Sequence, residues 1–320
     1  MVDGSEPLAS GRANRRANPA HTGEAVARAA RERSEGERET PRRNTTGLHL
    51  PGPVLSTAWV AAHADGVVLA DVRWYLDGRS GRDAYDSGHI PGARFVDLDT
   101  DLSGPPTTSG GRHPLPKPVD FAAAMSRLGI GDDTLVVAYD DVGGVVASRL
   151  WWMLDSLGCA AAVLDGGMNA WSGDLETAAP FWPPQTFTVR PWPAGRFASI
   201  DEVDAARDDP ESLVIDARSV ERYRGEPNRI DPRFGHIPGA VSMQVSDNLR
   251  GGKLLPAAEM RARYARAGAA NRSVIAYCGS GVSACHDLLA MRHAGLRDVR
   301  LFVGSWSAWG SDPERPLATA

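Results

Sequence analysis

Short apolar runs alternate with longer stretches of helical period along most of the chain. Val68-Leu69-Ala70-Asp71-Val72-Arg73 and Leu135-Val136-Val137-Ala138-Tyr139-Asp140 in the first half predict buried strands, as do Leu213-Val214-Ile215-Asp216-Ala217-Arg218 and Ser273-Val274-Ile275-Ala276-Tyr277-Cys278 in the second. The stretches Ala147 to Leu157 and Ser283 to His293 predict helices. Strands that are apolar on both faces and separated by helices belong to mostly parallel sheets flanked by helices, an α/β fold class.

The pattern is written twice. Gly88-His89-Ile90-Pro91-Gly92-Ala93 returns as Gly235-His236-Ile237-Pro238-Gly239-Ala240, and each copy follows an apolar run closed by Asp-x-Arg, Asp71 to Arg73 and Asp216 to Arg218. Gly167-Met168-Asn169-Ala170-Trp171 likewise answers to Ser305-Trp306-Ser307-Ala308-Trp309. A chain of 320 residues has room for two domains. The expected division is a tail over 1–52, a first domain over 53–178, a linker over 179–196 and a second domain over 197–320. Proline-rich Pro180-Phe181-Trp182-Pro183-Pro184 and Pro191-Trp192-Pro193 match neither half and read as an extended linker.

Composition narrows the functional classes. A hydrophobic share of 42 % and a charged share of 23 % are those of a soluble globular protein. A net charge of -5 offers no basic field for nucleic acid. No window is apolar enough to span a membrane, and the Arg- and Glu-rich first fifty residues carry no signal-peptide core; they read as a disordered tail or an over-long start. Cys159, Cys278 and Cys285 are too few for a disulfide scaffold, which favours a reducing, cytoplasmic setting.

Chemistry concentrates at Cys278. Ligands bind at the carboxyl ends of strands in an open α/β sheet, and Cys278 ends one such strand. The Gly279-Ser280-Gly281-Val282-Ser283 loop that follows leads into a helix. Its two glycines permit successive N–H groups to curl toward one point, an anion nest that lowers a thiol pKa and would hold a persulfide anion. The first half carries Asp140 at the matching place, followed by Asp141-Val142-Gly143-Gly144-Val145, which lacks the same loop pattern, so only the second half is expected to be catalytic. A buried cysteine packing as a small hydrophobe is the bland alternative, and it is the expected role of Cys159 and of Cys285, for which a redox pair with Cys278 is the alternative.

These motifs make the chain resemble the tandem-domain sulfurtransferases of the rhodanese superfamily, over about residues 53 to 313. Cys278-Gly279-Ser280-Gly281-Val282-Ser283 is similar to the Cys-Gly-Ser-Gly-Val-Thr loop of its 3-mercaptopyruvate-using members, with Ser283 in the place of threonine. Thiosulfate-using members carry Arg-Lys after the cysteine; uncharged Gly279 and Ser280 imply mercaptopyruvate as donor, with thiosulfate as the alternative. The paired Gly-His-Ile-Pro-Gly motifs and Gly304-Ser305-Trp306 also fit.

The resemblance implies two rhodanese-like domains and a site of named parts. Cys278 is the nucleophile, with Ser280 and Ser283 beside it. Gly279, Gly281 and Val282 complete the substrate loop. Arg222 and Arg229 grip the donor carboxylate, for which a guanidinium fork suits two oxygens at once. His89, with Asp83 and Ser280, is implied as a proton relay, although His89 and His236 also read as structural parts of their turns. No cofactor or metal is needed, and a thiol such as thioredoxin, or cyanide, accepts the sulfur. Two rivals carry their own signatures. A phosphatase of this fold needs Cys-x5-Arg, but Ala284 stands where that arginine belongs; a non-enzymatic redox or docking module would need only an acidic thiol.

Overall fold

The protein is described here by a computed structural model covering Met1, residues 47–178 and residues 180–320. The reading of a disordered tail falls mainly outside the described residues.

Two five-stranded parallel sheets repeat one topology. The first contains β1 (Val54–Leu55), β2 (Val68–Asp71), β3 (Arg94–Phe95), β4 (Val136–Tyr139) and β5 (Ala161–Leu164) in the order β1-β5-β4-β2-β3. The second contains β6 (Phe197–Ala198), β7 (Ser212–Asp216), β8 (Val241–Ser242), β11 (Ser273–Tyr277) and β12 (Val299–Phe302) in the order β6-β12-β11-β7-β8. An antiparallel pair, β9 (Leu249–Arg250) and β10 (Lys253–Leu254), is joined by Gly251 and Gly252, both at the positive φ that a tight hairpin requires.

The repeated sequence motif is one hydrogen-bonded unit built twice. Asp71 holds the Arg73 guanidinium at 2.6 Å, and Arg73 donates to the Gly88 carbonyl; Asp216 and Arg218 do the same for Gly235. His89 stacks on Tyr85 and His236 on Tyr223, ring centroids 3.7 Å apart in each pair, with Nδ1 bonded to the same tyrosine's carbonyl. Each Gly-His-Ile-Pro turn is thereby locked to its sheet.

The helices Ala147–Ser156 and Ala284–His293 are buried almost all round, which fits helices that pack between layers rather than against solvent. Their residues share one core: Leu150, Trp151 and Met153 from the first, Leu288, Leu289 and Met291 from the second. That shared core places the loops after β4 and β11, the carboxyl ends of the two central strands, on either side of one seam. The proline-rich segment lies along the first half, where Phe187 stacks edge-on to Phe121 and Trp192 Nε1 donates to the Pro116 carbonyl.

Candidate active site

Cys278 stands immediately after β11 and retains 1 % of its surface. The loop that follows closes around its sulfur. Gly281, at φ +76°, donates its N–H to Sγ at 3.1 Å. The amides of Ser280 and Ala284 and the Ser283 hydroxyl point to the same atom. Burial pushes the thiol pKa up; the Ser283 hydroxyl and these amides pull it further down, so the group sits below the ordinary thiol value. Glycine is required at position 281, because a Cβ would stand 2.5 Å from the Val303 carbonyl oxygen. Cys285 is the opposite case, its pKa pushed up to about 12 by burial.

The turn after β12 supports the loop from below. Trp306 N donates to the Cys278 carbonyl and Ser307 N to the Gly279 carbonyl, both at 2.9 Å. Ser305 accepts the Cys278 N–H at 3.1 Å and adopts φ +51°, which no other non-glycine among the described residues does. Such a conformation persists where surrounding bonds dictate it, as at functional sites.

The first half builds the same cradle around a different anion. Asp140 Oδ1 accepts the N–H groups of Val142 and Gly144, and Oδ2 those of Val146 and Ala147, at 2.7 to 2.9 Å. The 141–145 loop lacks the sequence pattern of the cysteine loop, as read from the sequence. Its amides do converge; a fixed carboxylate fills the place that the second half gives to sulfur.

Two guanidinium groups converge above Gly279. A Cβ there would lie 2.7 Å from Arg222 NH2 and 3.0 Å from Arg112 NH2. Arg222 is held by Asp231 through Nε at 2.9 Å and NH2 at 2.5 Å, and Asp231 also receives Arg218 and Asn228. Arg112 reaches in from the first half, anchored through its own N–H to Ser307 Oγ at 3.1 Å and through NH1 to the Ile230 carbonyl. Burial lowers the Arg112 pKa, and the nearby Arg222 charge lowers it further. Asp231 pairs with Arg222 and Arg218, while Arg112 is anchored by neutral groups alone, so the Arg112 and Arg222 pair presents surplus positive charge suited to an anionic ligand.

Ser280 is bonded to His113 Nδ1 at 2.8 Å, and His113 Nε2 lies 3.2 Å from Asp99. Since a carboxylate only accepts, Nε2 carries the proton and Nδ1 accepts from the serine hydroxyl. Trp74 Nε1 steadies the other Asp99 oxygen at 3.0 Å. Burial, reinforced by the Arg149 charge, drives the His113 pKa down to about 4, so the ring is neutral near pH 7.

A family model described as Rhodanese-like domain matches residues 56–174 and again residues 199–312. The chain belongs to the rhodanese-like family. A Pseudomonas aeruginosa protein named "Probable 3-mercaptopyruvate sulfurtransferase" is 40 % identical to it over 79 % of this chain and 92 % of its own length. A mouse protein named "Thiosulfate sulfurtransferase" is 32 % identical over 80 % of this chain and 91 % of its own. The crystal structure of SseA from Escherichia coli superposes with a TM-score of 0.72 at 32 % identity, covering 80 % of this chain and 99 % of that one.

Within this rhodanese-like protein, two expectations about site residues require correction. Arg229 does not reach the cysteine loop: Asn228 Oδ1 accepts the N–H groups of Ile230 and Asp231, a side-chain-closed turn that leaves Arg229 exposed. Arg112 supplies the second guanidinium instead. Nor do His89 and Asp83 form a relay with Ser280. His89 is fully buried beneath Tyr85 and bonded to its carbonyl, while Asp83 is exposed in the first turn of the Gly81–Ser87 helix. His113 and Asp99 hold that place. Their signal was in the sequence: Gly111-Arg112-His113 is a basic, glycine-hinged loop present in one half only. Gly111, at φ +78°, passes so close to the second half that a Cβ would lie 2.5 Å from both the Gly304 carbonyl oxygen and Ser307 Oγ.

Outside this site, the first sheet borders an open cavity of about 960 Å³ lined by Val68, Arg94, Leu135 and Trp182. It lies at the amino ends of β2 and β4, away from the end where such sheets bind ligands.

Proposed function

We propose that the protein is a sulfurtransferase that takes sulfur from 3-mercaptopyruvate, carries it as a persulfide on Cys278 and passes it to a thiol or to cyanide. The observation that carries this reading is the convergence of amides and one hydroxyl on the Cys278 sulfur beneath two guanidinium groups. Arg222 and Arg112 take the donor carboxylate. The Cys278 thiolate attacks the donor sulfur, the carbon–sulfur bond breaks, and its electron pair leaves on carbon as the enolate of pyruvate. The donor's thiol proton has to reach that carbon, and Ser280, backed by neutral His113 and Asp99, is placed to move it. The N–H groups around Cys278 then hold the persulfide anion until an acceptor thiolate or cyanide attacks the outer sulfur, returning Cys278 as thiolate.

Mercaptopyruvate is favoured over thiosulfate because Gly279 and Ser280 leave the loop uncharged, and one carboxylate balances the surplus charge of the arginine pair better than a dianion does. The kcat/KM for mercaptopyruvate should exceed that for thiosulfate, and the reverse order would overturn the donor assignment. Thiosulfate as physiological donor, with the same nucleophile, is the second reading; relatives bearing both names support the shared chemistry.

Of the three buried thiols, Cys278 and Cys285 separate by acidity. Alkylation by iodoacetamide near pH 7 should modify Cys278 and spare Cys285, whose pKa near 12 keeps it protonated. The rate at Cys278 should rise with pH through a midpoint below that of an ordinary thiol, about 8.5, and level off above it, because only the thiolate reacts. Peptide mapping checks the site and the pH profile checks the midpoint. The cysteines form no disulfide, and no described helix is long and apolar enough to cross a membrane. A cytoplasmic, reducing location fits a carrier that must return to the thiolate.

A further inference from the structure

One buried cation enters the chemistry above only through its effect on His113. Arg149, the third residue of the Ala147–Ser156 helix in the half without a catalytic cysteine, is 0 % exposed. Its acceptors are main-chain carbonyls. NH1 donates to Gly281 at 3.0 Å, and NH2 donates to His113 at 3.0 Å and to Leu102 at 3.2 Å. No carboxylate of the described residues pairs with it; burial lowers its pKa, and the neighbouring Cys285 and Cys278 sulfurs work against that shift, Cys278 being the one of the two whose own pKa is lowered.

The three carbonyls are not a random set. Gly281 is the residue whose N–H touches the Cys278 sulfur, and Leu102 and His113 bracket the loop that carries Arg112 and ends in the relay histidine. One planar fork therefore ties the sulfur-carrying loop to the loop that supplies donor grip and proton relay. A buried guanidinium without an acid is costly, and such a group is retained where an anion elsewhere repays it. Here the anion is the thiolate or persulfide, which is made and consumed within each turnover.

The mirror-related contact sharpens the contrast. Gly143 stands in the Asp140 loop where Gly281 stands in the cysteine loop, and its carbonyl also receives a side chain from the opposite half, His286 Nε2 at 3.2 Å. Burial drives the His286 pKa down to about 4, so this bridge is neutral. The two crossings match in placement and differ in charge, and the cation goes to the loop that bears the sulfur.

We propose that Arg149 is a positioning residue for sulfur transfer: it clamps the Gly281 turn to the His113 loop and supplies the buried positive charge that offsets the Cys278 anion. The half without a catalytic cysteine is thus a working part of the site. The inference rests on Cys278 as the sulfur carrier, but its test reads the thiol itself and so stands apart from whether any donor turns over. The groups facing Cys278 are its own loop amides, the Ser283 hydroxyl, Ser305 from the turn after β12, Cys285 from the following helix, and the Arg112 and Arg149 guanidinium groups, with Arg222 above Gly279. The acidity change is therefore measured in single substitutions.

The experiment compares Arg149→Met, Arg149→Lys and His286→Ala by the pH profile of Cys278 alkylation and by steady-state kinetics with mercaptopyruvate. Arg149→Met should move the alkylation midpoint up by about one pH unit, a tenfold change in acidity. It should lower kcat roughly 10- to 100-fold while the donor KM changes less than about threefold. Arg149→Lys should restore most of the midpoint but only part of kcat, since an ammonium cannot span three carbonyls. His286→Ala, which breaks the neutral crossing, should lower thermal stability and leave the midpoint in place. An unchanged midpoint and kcat in folded Arg149→Met would overturn the proposal, as would an equal midpoint shift in His286→Ala, which would signify general loosening. Should Arg149→Met fail to fold, an Arg149→Lys protein with wild-type kcat would overturn it by itself.

Discussion

Replacing Cys278 by serine should reduce sulfur transfer from mercaptopyruvate to a thiol acceptor to the uncatalysed background, a loss of roughly four orders of magnitude or more in kcat. Serine fits the same space and can meet the same N–H groups. Its hydroxyl, however, does not ionise at neutral pH and cannot hold a transferable sulfur, whereas the Gly281 amide at 3.1 Å and its neighbours favour the thiolate form of Cys278. Because the side chain is small and already lies in a polar cradle, thermal unfolding should shift little, which separates lost chemistry from lost folding. Pyruvate release and sulfide formation measure the first, and a melting curve measures the second. Turnover surviving in folded Cys278→Ser would remove the thiol from the reaction.

The second large effect concerns donor recognition. Arg222→Ala and Arg112→Ala should each lower kcat/KM for mercaptopyruvate by roughly 10- to 100-fold, chiefly through KM, because a hydrogen bond to a charged partner is worth about 1.5 to 3 kcal/mol. Arg222→Ala should also cost stability, since it strips Asp231 of its two-point partner. Burial pushes the Asp231 pKa up and Arg222 pulls it further down, so the acid sits below its ordinary value. That contribution is present at neutral pH and fades as pH falls through the lowered pKa. Arg229→Ala serves as the contrast and should leave donor kinetics unchanged. The double variant of Arg112 and Arg222 should lose less than the two single losses added together, as expected of groups sharing one ligand. Kinetics that respond to Arg229 and ignore Arg112 would return the grip to the loop first inferred from sequence.

Much of the architecture was legible because it is written twice. The Asp-x-Arg ends of β2 and β7 and the Gly-His-Ile-Pro turns are local constructions, each complete within one half, and local spacing reveals them. Cys278 was legible for the same reason: strand, nucleophile, glycine and helix are consecutive. The same duplication also misled. His89 recurs as His236 in an identical stack on tyrosine, and a feature common to both halves when only one holds the nucleophile serves the fold. The residues that differ between the halves carried the functional signal. Arg112, His113 and Arg149 meet the cysteine loop only through the packing of the Ala147–Ser156 helix against the Ala284–His293 helix, a contact between residues far apart in the chain that no periodicity encodes. The Asp140 cradle was not legible because cradle formation depends on backbone direction, and a carboxylate long enough to reach four amides organises it without the Gly-Ser-Gly pattern.

The central claim, that one cysteine carries the sulfur in transit, is tested most directly by the intact mass of the protein after mixing with mercaptopyruvate in the absence of acceptor. Wild-type protein should gain one sulfur atom, about 32 Da, on the peptide containing Cys278, and lose it when cyanide or a thiol is added. A gain that persists in Cys278→Ser, or no gain in wild-type protein that nevertheless releases pyruvate, would contradict the account.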